Sequence, residues 1–306
     1  MDNVYYVLIL ISTLVIIIII LHYFLKKYEI NENNEKIIIE NFDFDNYVLP
    51  KIIWIYWHDP NNIPLCVQQM LTNHTSTIKE WEIIFLSDKS LYKYIPLDDT
   101  PSFEDIKIVQ QKADWIRLYL LEKYGGCWCD ASVIINDESE LCKLRDESLA
   151  KKSLFTGFYH GKFCKTNKFK HVEVSFMIAP KNSSVIKAWR KEFEKAINMG
   201  LHEYRRLLKK NKNLKLRNIY RHCFDIYFTV YACFYNVSEY FNQEIKDHFI
   251  LYDARDTIYK FLTECLWLNT RAHRRLNNDK NVKKIPFIKL INANRKNLDL
   301  TKYYSL

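Results

Sequence analysis

The chain has 306 residues, enough for one large domain or two small ones. Hydrophobic residues make up 48% and aromatic residues 15% of the sequence, which supports a sizeable core. The net charge of +9 suits anionic partners such as nucleotide diphosphates, phospholipid surfaces or nucleic acid, without choosing between them. The eight cysteines lack the spacing of a zinc site. We interpret them as buried free thiols, with disulfides as the alternative in an oxidising compartment.

The N-terminal segment predicts a membrane anchor over residues 1–27. Residues 4–25 are largely apolar, and a helix of roughly twenty such residues spans a bilayer. No basic region precedes this run and no small-residue cleavage site follows it, so a retained signal-anchor is favoured over a cleaved signal peptide. The sequence therefore predicts a single-pass membrane protein with one N-terminal transmembrane helix.

The chain beyond the anchor divides into a predicted stem and a predicted domain. Residues 28–49 are acidic and rich in Asn, as expected of a linker, and residues 50–306 form the domain. Residues 52–57 and 81–86 are continuous apolar runs, typical of buried parallel strands, and a helix beginning near Pro64 lies between them. This alternation predicts a parallel sheet, which binds ligands beyond the carboxyl ends of its strands.

The stretch over residues 113–135 is the most informative part of the sequence. Its first half predicts a helix, because apolar residues recur at helical spacing at Ile116, Leu120 and Leu121. Gly125 and Gly126 are expected to end this helix, since glycine adopts the left-handed dihedral angles of a C-terminal cap.

The second half of the stretch, residues 127–135, predicts a buried strand. On a continuous strand, Asp130 and Ser132 would point to the same face. A buried carboxylate is costly unless another group pairs with it. A metal ion bound to the diphosphate of a nucleotide would be such a partner.

Three motifs follow one another here: Asp114-x-x-Arg117, then Leu120 to Gly126, then Trp128-x-Asp130-Ala131-Ser132. Together they resemble the DXD-type glycosyltransferases. The resemblance is strongest to the capsular polysaccharide synthesis family, near the sugar transferases of family 32, and runs from residue 50 to about residue 189. The full motif is D-x-D, whereas the capsular branch often has D-A-T or D-A-S. In this chain Ser132 stands where the full motif has its second Asp, which would be the second metal ligand.

The resemblance implies an α/β fold that is GT-A-like, a Rossmann-type nucleotide-sugar-binding fold with a central, mostly parallel sheet. Residues 50–200 would form the nucleotide-sugar-binding core and residues 201–306 a helical acceptor-side part. The implied activity is that of a hexosyltransferase-like enzyme of polysaccharide biosynthesis. It would move a sugar from a nucleotide sugar to a glycan, glycolipid, glycoprotein or other hydroxyl acceptor, with retention of configuration. No nucleic-acid partner is predicted, because the sequence has no recognised RNA-binding motif.

The membrane side of the predicted domain is left open by two opposing indications. Lys26 and Lys27 follow the apolar run, which favours a cytosolic catalytic domain. The resemblance to eukaryotic Golgi enzymes favours the lumen. The predicted location is therefore either a Golgi-like lumen or the cytosolic membrane face.

The resemblance also implies a metal site. Asp130 would bind Mn²⁺ or Mg²⁺, which prefer oxygen ligands and would neutralise the leaving diphosphate. Ser132 would add a hydroxyl or a water-mediated contact to the donor site.

Five more residues are candidates for substrate contacts. Asp114 and Arg117 share a helix face and would hold the donor, the alternative being an exposed salt bridge of little energetic value. Tyr56 and Trp57 would stack on the nucleotide base or serve as ordinary core aromatics. By resemblance to an acidic-Tyr-Phe element of the family, Asp225 is a catalytic candidate on the acceptor side.

Three further features are candidates for a functional role, and two of them also have a purely structural interpretation. Glu173 and Ser175 alternate on a predicted strand over residues 172–179, where the resemblance implies a contact with a sugar. Lys289, in the C-terminal tail, would lie near phosphate or be solvated. The Lys- and Arg-rich run over residues 202–222 is a solvated helical face, or a contact to anionic headgroups or to a phosphate-bearing acceptor.

Two other classes of function remain open. The chain is alternatively a membrane-tethered pseudoenzyme that binds glycan or nucleotide sugar without turnover, which the missing second Asp favours. It is otherwise a basic interaction protein of the membrane surface, in which Asp130 is merely structural.

Overall fold

The computed structural model of the chain describes residues 13–21, 37, 39–101, 106, 108–161, 171–210 and 226–305. Backbone contacts divide the chain into two units, Met1–Ile38 and Ile39–Leu306. In the first unit, residues 13–21 are helical and are named α1. The strands and the remaining described helices belong to the second unit. The predicted boundaries at residues 27, 49 and 200 stay predictions.

The predicted membrane anchor is corrected by the structure. A helix rises about 1.5 Å per residue, so about twenty apolar residues are needed to cross a bilayer. Throughout the described ranges, no helix is both long enough and apolar enough to do so. The prediction of a single-pass membrane protein, on either side of a membrane, is therefore wrong.

The second unit contains a central sheet and a small two-stranded sheet. In chain order the described strands are β1 (Ile52–Tyr56), β2 (Glu82–Leu86), β3 (Gly126–Cys129), β4 (Val133–Ile135), β5 (Phe155–Tyr159), β6 (Val172–Ala179), β7 (Phe249–Asp253) and β8 (Phe287–Lys289). The central sheet has the order β2-β1-β3-β6-β5-β7, and β4 pairs with β8. Among the described strands of the central sheet, only β6 runs against its neighbours, since the other pairings there are parallel. The predicted α/β fold with a mostly parallel central sheet is thus confirmed.

Helices connect most of these strands. They are α2 (Leu65–Thr77), α3 (Val109–Lys123), α4 (Glu138–Ala150), α5 (Ser184–Met199), α6 (Leu201–Lys210), α7 (Thr229–Ser238), α8 (Gln243–Asp247), α9 (Lys260–Glu264), α10 (Asn269–Asn278), α11 (Asn292–Arg295) and α12 (Thr301–Ser305). Short 3₁₀ helices cover Leu91–Lys93, Leu97–Asp99, Ile226–Phe228 and Lys280–Lys284. The predicted order of strand, helix and strand is observed in β1, α2 and β2.

The end of α3 positions the central strand β3. The φ angles are +73° at Gly125 and +100° at Gly126, which side chains with a Cβ rarely adopt. A Cβ at Gly125 would lie 2.5 Å from the backbone nitrogen of Lys181, and one at Gly126 would lie 2.7 Å from the carbonyl oxygen of Ile52. The two glycines therefore end α3, as predicted, and also let the chain pass directly against β1.

The predicted single strand over residues 127–135 is instead two strands in different sheets. The chain turns between β3 and β4, where the amide of Val133 donates to the carbonyl oxygen of Asp130 at 2.9 Å. The amide of Asp130 donates to the carbonyl oxygen of Ser175 at 2.8 Å. Asp and Ser favour turns because their side chains compete for backbone hydrogen bonds. Asp130 and Ser132 are thus turn residues, not neighbours on one strand face.

The cysteine prediction holds in the part of the chain that the structure describes. The thiols there are free. Cys142 is partly buried, and the others are buried: Cys66, Cys127, Cys129, Cys233 and Cys265. They act as small apolar side chains within the core.

Gly125→Ala is expected to destabilise the fold much more than Gly200→Ala. Gly200 also has a positive φ, +86°, but a Cβ there would meet no atom within 4 Å. Gly200→Ala should cost only backbone strain, about 1–2 kcal/mol. Gly125→Ala adds a clash with backbone atoms and should cost about 3 kcal/mol or more. Urea unfolding followed by circular dichroism measures both values, and equal losses would contradict this account.

Candidate active site

The candidate site is centred on the carboxylate of Asp130, at the carboxyl end of β3. Its Oδ2 accepts a hydrogen bond from Nζ of Lys289 at 2.5 Å. Its Oδ1 accepts from Nη2 of Arg117 at 3.2 Å and from the indole N–H of Trp128 at 2.8 Å. One carboxylate is therefore held between two cations that come from distant parts of the sequence.

Lys289 reaches the site because β8 pairs with β4. The antiparallel register places Lys289 opposite Val133, the residue that follows the turn. The amide of Leu290 donates to the carbonyl oxygen of Ser132 at 2.9 Å, which fixes the backbone beside the turn. Nζ of Lys289 also donates to Oγ of Ser132 at 2.7 Å. The ammonium thus bridges Asp130 and Ser132.

Asp114 and Arg117 form a buried pair on α3. Nη1 of Arg117 lies 3.2 Å from Oδ1 of Asp114 and donates to the carbonyl oxygen of Val174 at 2.9 Å. The guanidinium carbon lies 5.1 Å from the centre of the Trp128 ring, within the range of a cation–π interaction. Asp114 and Arg117 are only 5% and 4% exposed, so the alternative of an exposed salt bridge is wrong.

The two aspartates of the site have opposite pKa shifts. Burial raises the pKa of Asp114 to about 7, because Arg117 offsets only part of the desolvation and Asp130 and Glu173 add repulsion. Burial also acts on Asp130, but Lys289 and Arg117 outweigh it and hold the pKa of Asp130 below its usual value. Near neutral pH, Asp130 is therefore ionised, whereas Asp114 titrates in this range.

A third carboxylate of the site, Glu173, lies on β6 and is buried. Its Oε2 is 2.7 Å from Nε2 of His160 and accepts from the hydroxyl of Tyr259 at 3.1 Å. Its Oε1 accepts from the amide of Ser175 at 2.9 Å. Burial raises the pKa of Glu173, but the His160 contact outweighs it and the pKa lies well below the usual range. The sugar contact predicted for Glu173 and Ser175 stays a prediction.

Tyr56 and Trp57, at the carboxyl end of β1, have other partners. The hydroxyl of Tyr56 donates to Asp88 at 2.5 Å, and Asp88 pairs with Lys112 at 2.9 Å. Trp57 is half-buried, and the guanidinium carbon of Arg295 lies 5.7 Å from its ring centre. Tyr56 is thus a buried core aromatic, whereas Trp57 is only partly buried. Stacking of either ring on a base stays a prediction.

The structure brings four of the predicted site residues into one network and leaves one outside its description. Asp114, Arg117, Asp130 and Ser132 are connected through hydrogen bonds and ion pairs, with Lys289 completing the network. Asp225 lies outside the described residues. The part of the basic run over residues 211–222 also lies outside them.

Sequence reasoning missed His160 and Tyr259, which are the partners of Glu173, because no local pattern points to them. A better signal existed for Lys289, a charged residue in the otherwise apolar run from Phe287 to Leu290.

The donor set around Asp130 fits a divalent metal poorly. Mn²⁺ and Mg²⁺ need several oxygen ligands, usually including more than one carboxylate or substrate phosphate. Within the described residues, no group of three or more His, Cys, Asp or Glu side chains could hold a metal. The oxygens of Asp130 and Ser132 instead share the ammonium of Lys289. The metal predicted at Asp130 stays a prediction, with this disagreement against it.

Asp114→Asn is expected to change the pH dependence of stability. Folded Asp114, with a pKa raised to about 7 from 3.8, keeps a proton that unfolded Asp114 releases. Asp114 therefore lowers the free energy of unfolding as the pH rises from about 4 to about 7. The variant lacks this effect, so its stability relative to the wild type should increase over that interval by a few kcal/mol. Each unit of difference between the folded and unfolded pKa contributes about 1.4 kcal/mol. Urea titrations from pH 4 to 8 measure this, and a constant difference would contradict it.

Among solved structures, the chain is weakly similar to a glycosyltransferase. It is described as the crystal structure of a glycosyltransferase involved in the glycosylation of the major capsid of PBCV-1. The two share 15% identity over 80% of this chain and 98% of that chain, with a TM-score of 0.40. At that TM-score the similarity supports no statement about this chain. Among curated proteins, none matches the sequence.

A family model matches a large part of the chain. The model is that of the capsular polysaccharide synthesis protein, and it matches residues 18–199. The matched range contains Asp114, Arg117, Asp130 and Ser132, whereas Lys289 lies beyond it. The predicted resemblance is confirmed, and with it the predicted enzyme class, a glycosyltransferase. Because the match covers more than half of its residues, the chain belongs to the capsular polysaccharide synthesis protein family.

Proposed function

We propose that this glycosyltransferase moves a hexose-like sugar from a nucleotide sugar to a hydroxyl group of a glycan, glycolipid or glycoprotein. The observation that carries the proposal is the convergence of Arg117 and Lys289 on the turn that contains Asp130. Two cations at one point suit a diphosphate, which carries adjacent negative charges. Family membership supports a role in polysaccharide biosynthesis.

The position of the site within the sheet supports a GT-A-like, nucleotide-binding arrangement. Asp130 follows β3 and Trp57 follows β1, and these two strands are parallel neighbours. Their carboxyl ends therefore lie at the same edge of the sheet, where α/β sheets bind ligands. We place the diphosphate at Asp130 and the base toward Trp57, whose ring is the more exposed of the two candidate aromatics.

The proposed reaction breaks the bond between the anomeric carbon of the sugar and the diphosphate oxygen. The electron pair goes to that oxygen, and Arg117 and Lys289 stabilise the charge that develops there. The acceptor oxygen bonds to the anomeric carbon and releases its proton to the leaving phosphate or to solvent. The family resemblance supports retention of configuration.

The carboxylates have distinct proposed roles. Asp130 holds the two cations in place before the donor binds, which lowers the cost of orienting them in the reaction. Asp114 has a pKa raised to about 7. It accepts a hydrogen bond from a hydroxyl of the donor sugar when ionised and donates one to it when protonated. Asp225 remains a proposed acceptor-side residue.

The test is release of nucleotide from donors by the full chain. Nucleoside diphosphate sugars with uridine and guanosine bases are incubated with the protein, both with Mn²⁺ and with EDTA, and free nucleotide is measured. One donor should be hydrolysed in at least one of the two conditions. Asp130→Asn should reduce this rate by about 100-fold or more, because the two cations lose the anion that orients them.

A matched control separates loss of the site from loss of stability. Glu122 is also a buried carboxylate, and it pairs with Arg190 at 2.5 Å at the end of α3. Glu122→Gln should lower thermal stability about as much as Asp130→Asn while leaving hydrolysis nearly unchanged. Binding of a donor without any release of nucleotide would instead identify a non-catalytic binding protein.

A further inference from the structure

The ammonium of Lys289 occupies the point between the two oxygen-bearing side chains of the motif. Nζ lies 2.5 Å from Oδ2 of Asp130 and 2.7 Å from Oγ of Ser132. These are the distances of charge-assisted hydrogen bonds. In a D-x-D motif the corresponding side chains would be two carboxylates that share a metal ion. Here the shared cation is a side chain of the protein.

We propose that Lys289 supplies the cation of this motif, so that the enzyme binds the donor diphosphate without a divalent metal. This inference rests on the proposed function. It reverses the metal requirement that the sequence alone predicts from Asp130.

The charges of the motif support the exchange of metal for lysine. Two carboxylates with a divalent metal sum to zero. One carboxylate, Asp130, with one ammonium, Lys289, also sums to zero. Replacement of the second carboxylate by Ser132 therefore keeps the motif neutral only if the cation loses one charge as well. Ser132 in place of a second carboxylate therefore removes a metal ligand and leaves a single negative charge, which one ammonium neutralises.

The backbone holds Lys289 in place on both sides. Its amide donates to the carbonyl oxygen of Ile258 at 3.0 Å, and the next amide, of Leu290, donates to Ser132 at 2.9 Å. A metal ion at the Asp130–Ser132 position would meet the ammonium within a few ångströms, where like charges repel strongly in a partly buried site. The ion would therefore have to displace the Lys289 ammonium from its contacts with Asp130 and Ser132.

The ammonium retains a donor for the substrate. Lysine has three N–H donors, and the contacts with Asp130 and Ser132 use two of them. The side chain of Lys289 is 12% exposed and that of Asp130 is 23% exposed, so the network is open to a ligand. The third N–H can therefore bind a diphosphate oxygen while the first two keep the side chain in position.

The test is calorimetric titration of the full chain with uridine and guanosine diphosphate, in EDTA and in Mn²⁺. For the nucleotide that binds, EDTA should change the Kd by less than about twofold. Lys289→Met, which keeps the length of the side chain and removes its charge, should weaken binding by roughly 30-fold or more in both conditions. Lys289→Arg should restore part of this loss.

Two further variants sharpen the result. Lys51 also pairs with a carboxylate, Glu80 at 2.5 Å, but it precedes β1 at the opposite end of the strand. Lys51→Met should leave the Kd within about twofold and controls for the loss of a paired lysine. Lys289→Met combined with Ser132→Asp rebuilds a D-x-D motif, so its binding should recover in Mn²⁺ and not in EDTA.

The outcomes separate this inference from the proposed function. Binding that EDTA abolishes and Mn²⁺ restores in the wild type would overturn the role of Lys289 and leave the transferase proposal intact. An unchanged Kd in a folded Lys289→Met variant, checked by thermal unfolding, would also overturn it. Failure of every nucleotide and every donor to bind in either condition would overturn both proposals.

Discussion

The carboxylate of Asp130, held between Lys289 and Arg117, is the interaction on which the rest of the site depends. It connects three segments that are distant in sequence: the helix α3, the turn between β3 and β4, and the C-terminal strand β8. A buried charge without a partner would be strongly unfavourable, so each segment is constrained by the position of the other two. The C-terminal part of the chain is thereby part of the candidate site, although it lies outside the range that the family model matches.

Sequence reasoning identified the elements that local rules determine. The helix α3, its end at Gly125 and Gly126, and the apolar strand β1 all follow from periodicity and from glycine conformation. The pairing of Asp114 with Arg117 follows from their spacing on a helix, and the family resemblance singled out Asp130. Asp114 and Arg117 lie three residues apart on one helix, so local geometry was sufficient to place them together.

What sequence reasoning could not place depends on tertiary contacts. Apolarity alone does not distinguish one strand from two strands separated by a turn, so the break at Asp130 was missed. The contact of Lys289 depends on the register of β8 against β4, and that of His160 with Glu173 depends on tertiary packing that no local pattern encodes. The anchor prediction rested on composition alone, and no helix in the described residues is long and apolar enough to cross a membrane.

The buried charges of the site are difficult to explain as stabilising features. Replacement of a buried ion pair by apolar residues of similar volume is often neutral or stabilising, so such pairs contribute little to folding. The core around Trp128 is otherwise apolar, yet Asp114 and Glu173 are buried there and Asp130 is partly buried, close enough to influence one another. Their pKa values are driven in opposite directions, Asp114 upward and Asp130 downward, by burial and by the placement of Arg117 and Lys289. Such a separation of pKa values is characteristic of sites where charge must be handled during a reaction. The network is therefore better explained by the binding of a charged substrate than by the stability of the fold.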